Sequence, residues 1–188
     1  ERSIRAAIAS IPRIGPHVHL RALKIERDGV VLLDGEVPDV AAKKLALEKV
    51  AALPFVTGIA DHLHVAPAVP MSDKEIRAHL ADALIEERSF DGIEIRRRQD
   101  GQVELLRGAP IDPRGSIEFE VKDGVVTLNG RVPTLTSKRL AGVIAWWVPG
   151  VRDVINGIEV DPPEEDSPDM IAEAVRVVLE KDPFVNAS

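Results

Sequence analysis

The sequence predicts an α+β protein of tandem small α-β-β-α-β modules, each a three-stranded sheet covered by two helices. The first reason is a repeat: residues 28–38 (DGVVLLDGEVP) return 95 positions later as residues 123–133 (DGVVTLNGRVP), with eight of eleven positions identical. The second reason is that each copy alternates apolar with other residues after an Asp-Gly pair. This pattern is typical of a tight turn followed by a half-buried strand.

Composition limits the class of protein. The 188 residues are 45% hydrophobic and 29% charged, as in ordinary globular domains. No apolar run approaches the roughly 18 residues that a membrane-spanning helix needs. The net charge of −7 is concentrated in residues 161–188, which carry two basic and eight acidic groups. This charge balance argues against nucleic-acid binding.

Module 1 is predicted over residues 1–66. Its first helix has apolar residues at the i, i+4, i+7 spacing of one face and ends at a proline: Ile4, Ile8, Ile11 and Pro12. Two strands follow around the Asp28-Gly29 turn. A second helix begins after Asp39, a favourable N-cap, and a last strand covers residues 56–65.

Module 2 is predicted over residues 71–161, after a short linker stiffened by prolines. Its first helix opens with the capping box formed by Ser72 and Glu75. That helix aligns with module 1 at an offset of 72 residues, whereas everything after the turn aligns at 95. Module 2 therefore carries an insert at about 90–114, which is predicted to be a hairpin around Asp100-Gly101.

Residues 167–188 repeat the start of a module once more. Ser167 lies 95 residues after Ser72, and the apolar positions of the helix return as Ile171, Val175, Val178 and Leu179. We interpret this segment as the first helix of a truncated third module, which would make the chain a piece of a longer array. The alternative is a terminal helix that docks on module 2.

Six residues are predicted to support the fold rather than to bind a ligand: Gly29, Gly35, Asp61, Gly124, Gly130 and Asn156. The first glycine of each module occupies the hairpin turn. The second interrupts the apolar side of a strand, where another backbone usually comes close. Asp61 and Asn156 occupy the same position in the two modules, and a short polar side chain there is expected to bond to the local backbone.

The module resembles the BON domain of bacterial envelope and osmotic-stress proteins. The resemblance rests on the two repeated segments, the helix that follows, and the spacing of Val151, Val154, Asn156, Ile158 and Val160. It covers both modules and, more weakly, residues 167–188. The resemblance implies a small sheet covered by two helices and a non-catalytic role in binding phospholipid surfaces or other envelope components, commonly in the periplasm.

The candidate contact surface lies on the second helix of module 2. A step of 100° per residue places Trp146 nearly opposite the core, with Val143 and Trp147 on the flank. The equivalent residues of module 1 are small or charged: Glu48, Ala51 and Ala52. Either the inserted hairpin or a neighbouring module covers this face, or an external lipid or protein partner does.

The insert also contains a cluster of cations, Arg96, Arg97 and Arg98. Such a run is most often a solvated face, but it is also suited to contact with anionic lipid headgroups. On a strand the three side chains alternate, so at most two act together. The expected partners are therefore an anionic phospholipid or an envelope protein.

We expect no catalytic residue, cofactor or metal. The chain has no Cys or Tyr, and it lacks a glycine-rich phosphate loop, a Gly-x-Ser-x-Gly segment and a His-Glu-x-x-His segment. The pairs His17/His19 and His62/His64 have a spacing that suits Zn²⁺ or Ni²⁺, but no carboxylate spacing completes a site.

The sequence thus predicts a non-catalytic binding module at the bacterial envelope, periplasmic or envelope-associated, that binds phospholipid in a role linked to osmotic or envelope stress. The alternative is a structural protein–protein assembly module without a lipid ligand. A cytoplasmic location and any oligomeric state stay open.

Overall fold

The computed structural model describes residues 1–11, 17–66, 70–109, 112–161 and 164–181. Pro12 and most of the linker between the modules lie outside these ranges. The chain divides into two compact units, Glu1–Ala68 and Val69–Ser188. Within the described ranges, no helix combines the length and the apolar character needed to cross a bilayer.

Unit 1 has the predicted α-β-β-α-β order. Its elements are α1 (Arg2–Ala9), β1 (His19–Ile25), β2 (Val30–Val37), α2 (Val40–Ala51) and β3 (Gly58–Val65). Strand β2 lies in the centre of a three-stranded sheet, antiparallel to β1 and parallel to β3. The core residues of this unit come from the helices and from alternate strand positions, and include Ile4, Ile8, Val31, Leu33, Ala46, Val50 and Leu63.

Unit 2 repeats this arrangement and enlarges the sheet. Its elements are α3 (Asp73–Glu86), a 3₁₀ turn (Arg88–Phe90), β4 (Ile93–Gln99), β5 (Gln102–Arg107), β6 (Gly115–Lys122), β7 (Val125–Val132), α4 (Leu135–Trp147), β8 (Asp153–Asn156), β9 (Glu159–Val160) and α5 (Pro168–Lys181). The described sheet has the order β5-β4-β6-β7-β8, with β9 also paired to β7. Strands β6, β7 and β8 correspond to the sheet of unit 1. The predicted fold class is confirmed, and the inserted hairpin β4–β5 extends the sheet because β4 pairs in parallel with β6.

Asp-Gly pairs form the turns of all three hairpins. Asp123 and Gly124 have φ values of 53° and 75°, and Asp100 and Gly101 have 50° and 78°. Two successive residues in the left-handed region make the two-residue turn that matches strand twist. The turn of the first hairpin is one residue longer, since Gly29 N–H donates to the carbonyl of Glu26 at 3.1 Å. Strand β1 also has a register shift relative to β2 between Leu20 and Ala22.

The capping box at the start of α3 is present. The Ser72 hydroxyl accepts a hydrogen bond from the Glu75 backbone N–H, and the Glu75 carboxylate accepts from the Ser72 backbone. The hydrogen bonds that Ser72 donates from its side chain and backbone hold the pKa of Glu75 below its usual value. The cap satisfies N–H groups that otherwise lack a partner in the first turn of the helix.

The strand glycines lie where two backbones approach closely, as predicted. A Cβ atom at Gly35 would lie 2.2 Å from the carbonyl oxygen of His19, and one at Gly130 would lie 2.1 Å from that of Ser116. Both distances are far below van der Waals contact. No other residue fits at either position without separating β1 from β2 or β6 from β7.

Asp61 and Asn156 each make the local hydrogen bond to the backbone that is predicted from the repeat. Asp61 accepts from the Leu63 N–H at 2.9 Å, and Asn156 accepts from the Ile158 N–H at 3.3 Å. Each also reaches the second helix of its unit. The Lys43 ammonium lies 3.0 Å from the Asp61 carboxylate, while the Asn156 amide donates to the Lys138 carbonyl at 2.8 Å. The same position thus ties the last strand to the crossover helix in both units.

We expect Gly35→Ala to destabilise unit 1 by about 1 to 3 kcal/mol, because the added methyl group forces β1 away from β2. Gly58→Ala is the matched control, since its Cβ would meet Val30 Cγ2 at 3.5 Å, an ordinary contact. Hydrogen exchange of the β1 and β2 amides in moderate urea measures the difference. Equal exchange in the two variants would contradict the close approach.

Candidate functional site

Trp146 does not lie opposite the core, and that prediction is wrong. The side chain is half-buried and packs against the hydrophobic core of unit 2. The physical reason is that α4 contacts α3 and α5 as well as the sheet. Its covered arc is therefore wider than the single stripe assumed from the helical repeat.

Val143 and Trp147 are also half-buried. Val143 borders an apolar groove between α4 and α5, with a volume of about 310 Å³. The groove is lined by residues of both helices: Thr136, Arg139, Leu140, Val143, Ile171, Ala174, Val175, Val178 and Leu179. Helix α5, rather than the inserted hairpin, therefore lies beside the predicted contact face.

Each arginine of the predicted cluster is paired with a carboxylate. Arg96 donates to Glu94, and Arg97 donates to Glu104. Arg98 Nε donates to Glu118 at 2.6 Å, and this bond raises the pKa of Arg98. The positive charges are therefore largely compensated within the sheet, which weakens their attraction for an anionic surface.

Arg96 and Arg98 do not share a surface with the tryptophans. Ile93 and Ile95 of β4 point into the core, so Arg96 and Arg98 alternate to the face of the sheet that the helices leave open. Trp146 lies on the helix side. The fold therefore does not bring the tryptophans together with Arg96 and Arg98 in one lipid-binding surface.

The most exposed apolar residues of the hairpin are not among the residues predicted from the sequence. Val103 and Leu105 on β5 expose 46% and 55% of their surface. They are the cross-strand neighbours of Arg98 and Arg96, so they lie on the open face. We call β5 with these two side chains the hairpin edge. Apolar and polar residues alternate along β5 as they do along a strand with one buried face. The local sequence therefore does not show that Val103 and Leu105 are exposed.

The hairpin edge is the terminal strand at one end of the described sheet, and its strand neighbour there is β4. The outer backbone N–H and C=O groups of such a strand are available to another strand. The opposite end of the sheet is less suited to pairing, because β8 spans four residues and β7 then pairs with the separate strand β9.

Arg107 fixes the hairpin to the rest of unit 2. Its guanidinium donates to the carbonyl of Ile85 at 2.7 Å, to that of Ile93 at 3.2 Å, and to that of Phe90. Partial burial lowers the pKa of Arg107, against the raising effect of Asp91 and Glu87. One side chain at the end of β5 thus satisfies carbonyls at the end of α3, in the 3₁₀ turn and at the start of β4.

His62 and His64 lie on β3, beside Asp34 and Glu36 of β2 in the strand register. Across the described ranges, no three His, Cys, Asp or Glu residues are grouped so that they could hold a metal ion.

The comparisons with known proteins identify a family. The sequence matches the BON domain over residues 3–67 and 103–162, more than half of the chain. The second matched segment begins within β5, so α3 and β4 lie outside it. Among curated proteins, none matches this chain.

Two similar solved structures are of CdsD from Chlamydia trachomatis, described as a structural protein of the type III secretion system. The C-terminal domain of CdsD is 16% identical, with 86% of this chain and 96% of that chain covered and a TM-score of 0.30. The second structure is 14% identical, with 92% and 95% covered and a TM-score of 0.27.

We expect Arg107→Met to destabilise unit 2 by about 2 kcal/mol, because it leaves partly buried carbonyls without a donor. Arg97→Met, the control, removes a single exposed ion pair and should cost less than about 1 kcal/mol. Both tryptophans belong to unit 2, so urea unfolding followed by their fluorescence reports on this unit. Equal losses in the two variants would show that Arg107 does not anchor the hairpin.

Proposed function

The chain belongs to the BON domain family, and from this premise we propose that it is a non-catalytic binding module of the bacterial envelope that joins a protein partner through the hairpin edge. The BON domain is a family of non-catalytic binding domains. We place the chain on the periplasmic side of the envelope, in line with what membership of this family implies.

The observation that carries the proposal is the exposure of Val103 and Leu105 on a terminal strand of the sheet. A partner strand added beside β5 would form main-chain hydrogen bonds with its outer edge. The same partner would cover the two apolar side chains on the open face. Burial of a leucine side chain stabilises a contact by roughly 1.5 to 3 kcal/mol.

The neighbouring charges support a protein partner of defined sequence. Next to the hairpin edge, Arg96 is bonded to Glu94 and Arg98 is bonded to Glu118. Positive and negative groups therefore lie side by side on this face. A surface of paired opposite charges has little net attraction for a uniformly anionic surface, whereas it favours a partner with a matching charge pattern.

Phospholipid binding, linked to osmotic or envelope stress, is the second candidate. Its support is the family resemblance, since phospholipid surfaces are among the ligands that the BON domain implies. The positions of the side chains support it less: Trp146 packs against the core, and Arg96 and Arg98 lie on the other side of the sheet with compensated charges. We therefore favour the assembly function.

The test replaces Leu105 by lysine, which places a charge on the hairpin edge. We expect Leu105→Lys to reduce partner binding about tenfold, since it removes about 1.4 kcal/mol or more of apolar contact. The measurement is the yield of covalent adducts from a photo-activated residue at Gln102 in the cell envelope. Ile155→Lys is the matched control, because Ile155 is equally exposed, at 55%, on β8 of the same sheet.

A parallel measurement records tryptophan emission with vesicles of anionic phospholipid, where we expect no shift. Adduct yields that Leu105→Lys leaves unchanged would contradict the hairpin edge as the contact. Vesicle binding without any protein adduct would replace the assembly function by the phospholipid function.

A further inference from the structure

Helix α5 is the equivalent of α3 in the internal repeat. Ser167 and Ser72 lie 95 residues apart, and each caps its helix through its hydroxyl. The Ser72 hydroxyl accepts from the Glu75 N–H at 3.3 Å, and the Ser167 hydroxyl accepts from the Met170 N–H at 3.2 Å. The same helix start has therefore been used twice.

The core-facing residues of α3 have counterparts in α5 that are exposed. Ile76, Leu80 and Leu84 are all 0% exposed and cover the sheet of unit 2. The residues 95 positions later are Ile171, Val175 and Leu179, which are 47%, 50% and 39% exposed. We call these three the α5 stripe. In α1 the corresponding residues, Ile4 and Ile8, are again buried.

Helix α5 packs on the rest of unit 2 through a different face. Val177 is buried in the core of unit 2, and Ala174 packs partly against it. The position of Val177 corresponds to Asp82 of α3, which is exposed to solvent. Helix α5 therefore has two apolar faces: one that covers unit 2, and one that has the residue types and spacing of a sheet-covering helix.

Two open clefts border the contact of α5 with the rest of unit 2. One, of about 350 Å³, lies between α5, α4 and the 3₁₀ turn, and the other is the apolar groove of about 310 Å³. Ile171, Val175 and Leu179 line that groove, and each still exposes more than a third of its surface. Docking on α4 thus leaves much of the α5 stripe uncovered.

We propose that the α5 stripe covers the apolar face of the sheet of a further α-β-β-α-β module in the same polypeptide, with α5 as the opening helix of that module. Its other face, around Val177, then links the new module to unit 2. This surface is separate from the hairpin edge, so the inference goes beyond the proposed function and does not depend on it.

The repeat itself supports a sheet as the occupant, since the matching residues cover a sheet in both units. Charge disfavours an anionic membrane, because residues 161–188 carry a net charge of −6 from two basic and eight acidic groups. Asp169 and Glu173 lie on the same helix as the stripe.

The test exploits the absence of cysteine from the chain. Val175→Cys is placed in the 188-residue chain and in the complete gene product, expressed from its natural start to its natural stop, and the rate of reaction with a water-soluble maleimide is measured. Ile155→Cys is the control, because Ile155 is similarly exposed and lies off the stripe. We expect the Val175→Cys thiol to react about tenfold more slowly, or slower still, in the complete product, since a buried thiol reacts only through local opening. The thiol of the control variant should react at the same rate in both proteins.

Three results would overturn the proposal. One is an equal rate for the Val175→Cys thiol in the two proteins, which a gene product that ends with this helix would also give. Another is slow reaction in the 188-residue chain at high concentration together with a dimer in sedimentation, which would make a second copy the occupant. The third is protection of the same thiol only by phospholipid vesicles. None of these readouts involves Leu105, so failure here leaves the hairpin edge unaffected.

Discussion

Burial of one apolar sheet face under two helices is the interaction on which both units depend. A short sheet of this kind has one apolar side, and it is stable only when that side is removed from water. The first helix covers it before the hairpin, and the crossover helix covers it between the two parallel strands. Close packing of the hairpin requires glycine at Gly35 and Gly130, where a side chain would strike the neighbouring backbone. The Asp61 and Asn156 side chains then tie the last strand to the crossover helix.

This architecture accepts an insertion because the sheet can grow at its side. Strand β4 pairs in parallel with β6, and β5 returns beside it, so the three original strands keep their order. Arg107 fixes the added hairpin through carbonyls at the end of α3 and around the 3₁₀ turn. The consequence for function is a new terminal strand, which exposes the apolar side chains of Val103 and Leu105. The two units therefore present different surfaces although they share a fold.

The same requirement for a covered face explains the unusual surface of α5. The residues of the α5 stripe correspond to those that close the core in α1 and α3. The described chain nevertheless places no sheet against them. A helix with one face docked and an equivalent of the core face exposed is suited to join successive modules.

The sequence by itself determined the module order, the Asp-Gly turns, the position of the insert and the roles of the strand glycines, of Asp61 and of Asn156. These features are encoded by neighbouring residues and by a repeat that can be read directly. Only the tertiary structure decided that Trp146 packs inward, because helices from distant parts of the chain surround α4. It also decided the partner of Arg98, which is a glutamate 20 residues away, and the exposure of Leu105, which depends on which strand ends the sheet. Local periodicity reports which residues share a face, but the contacts between elements decide which face is covered.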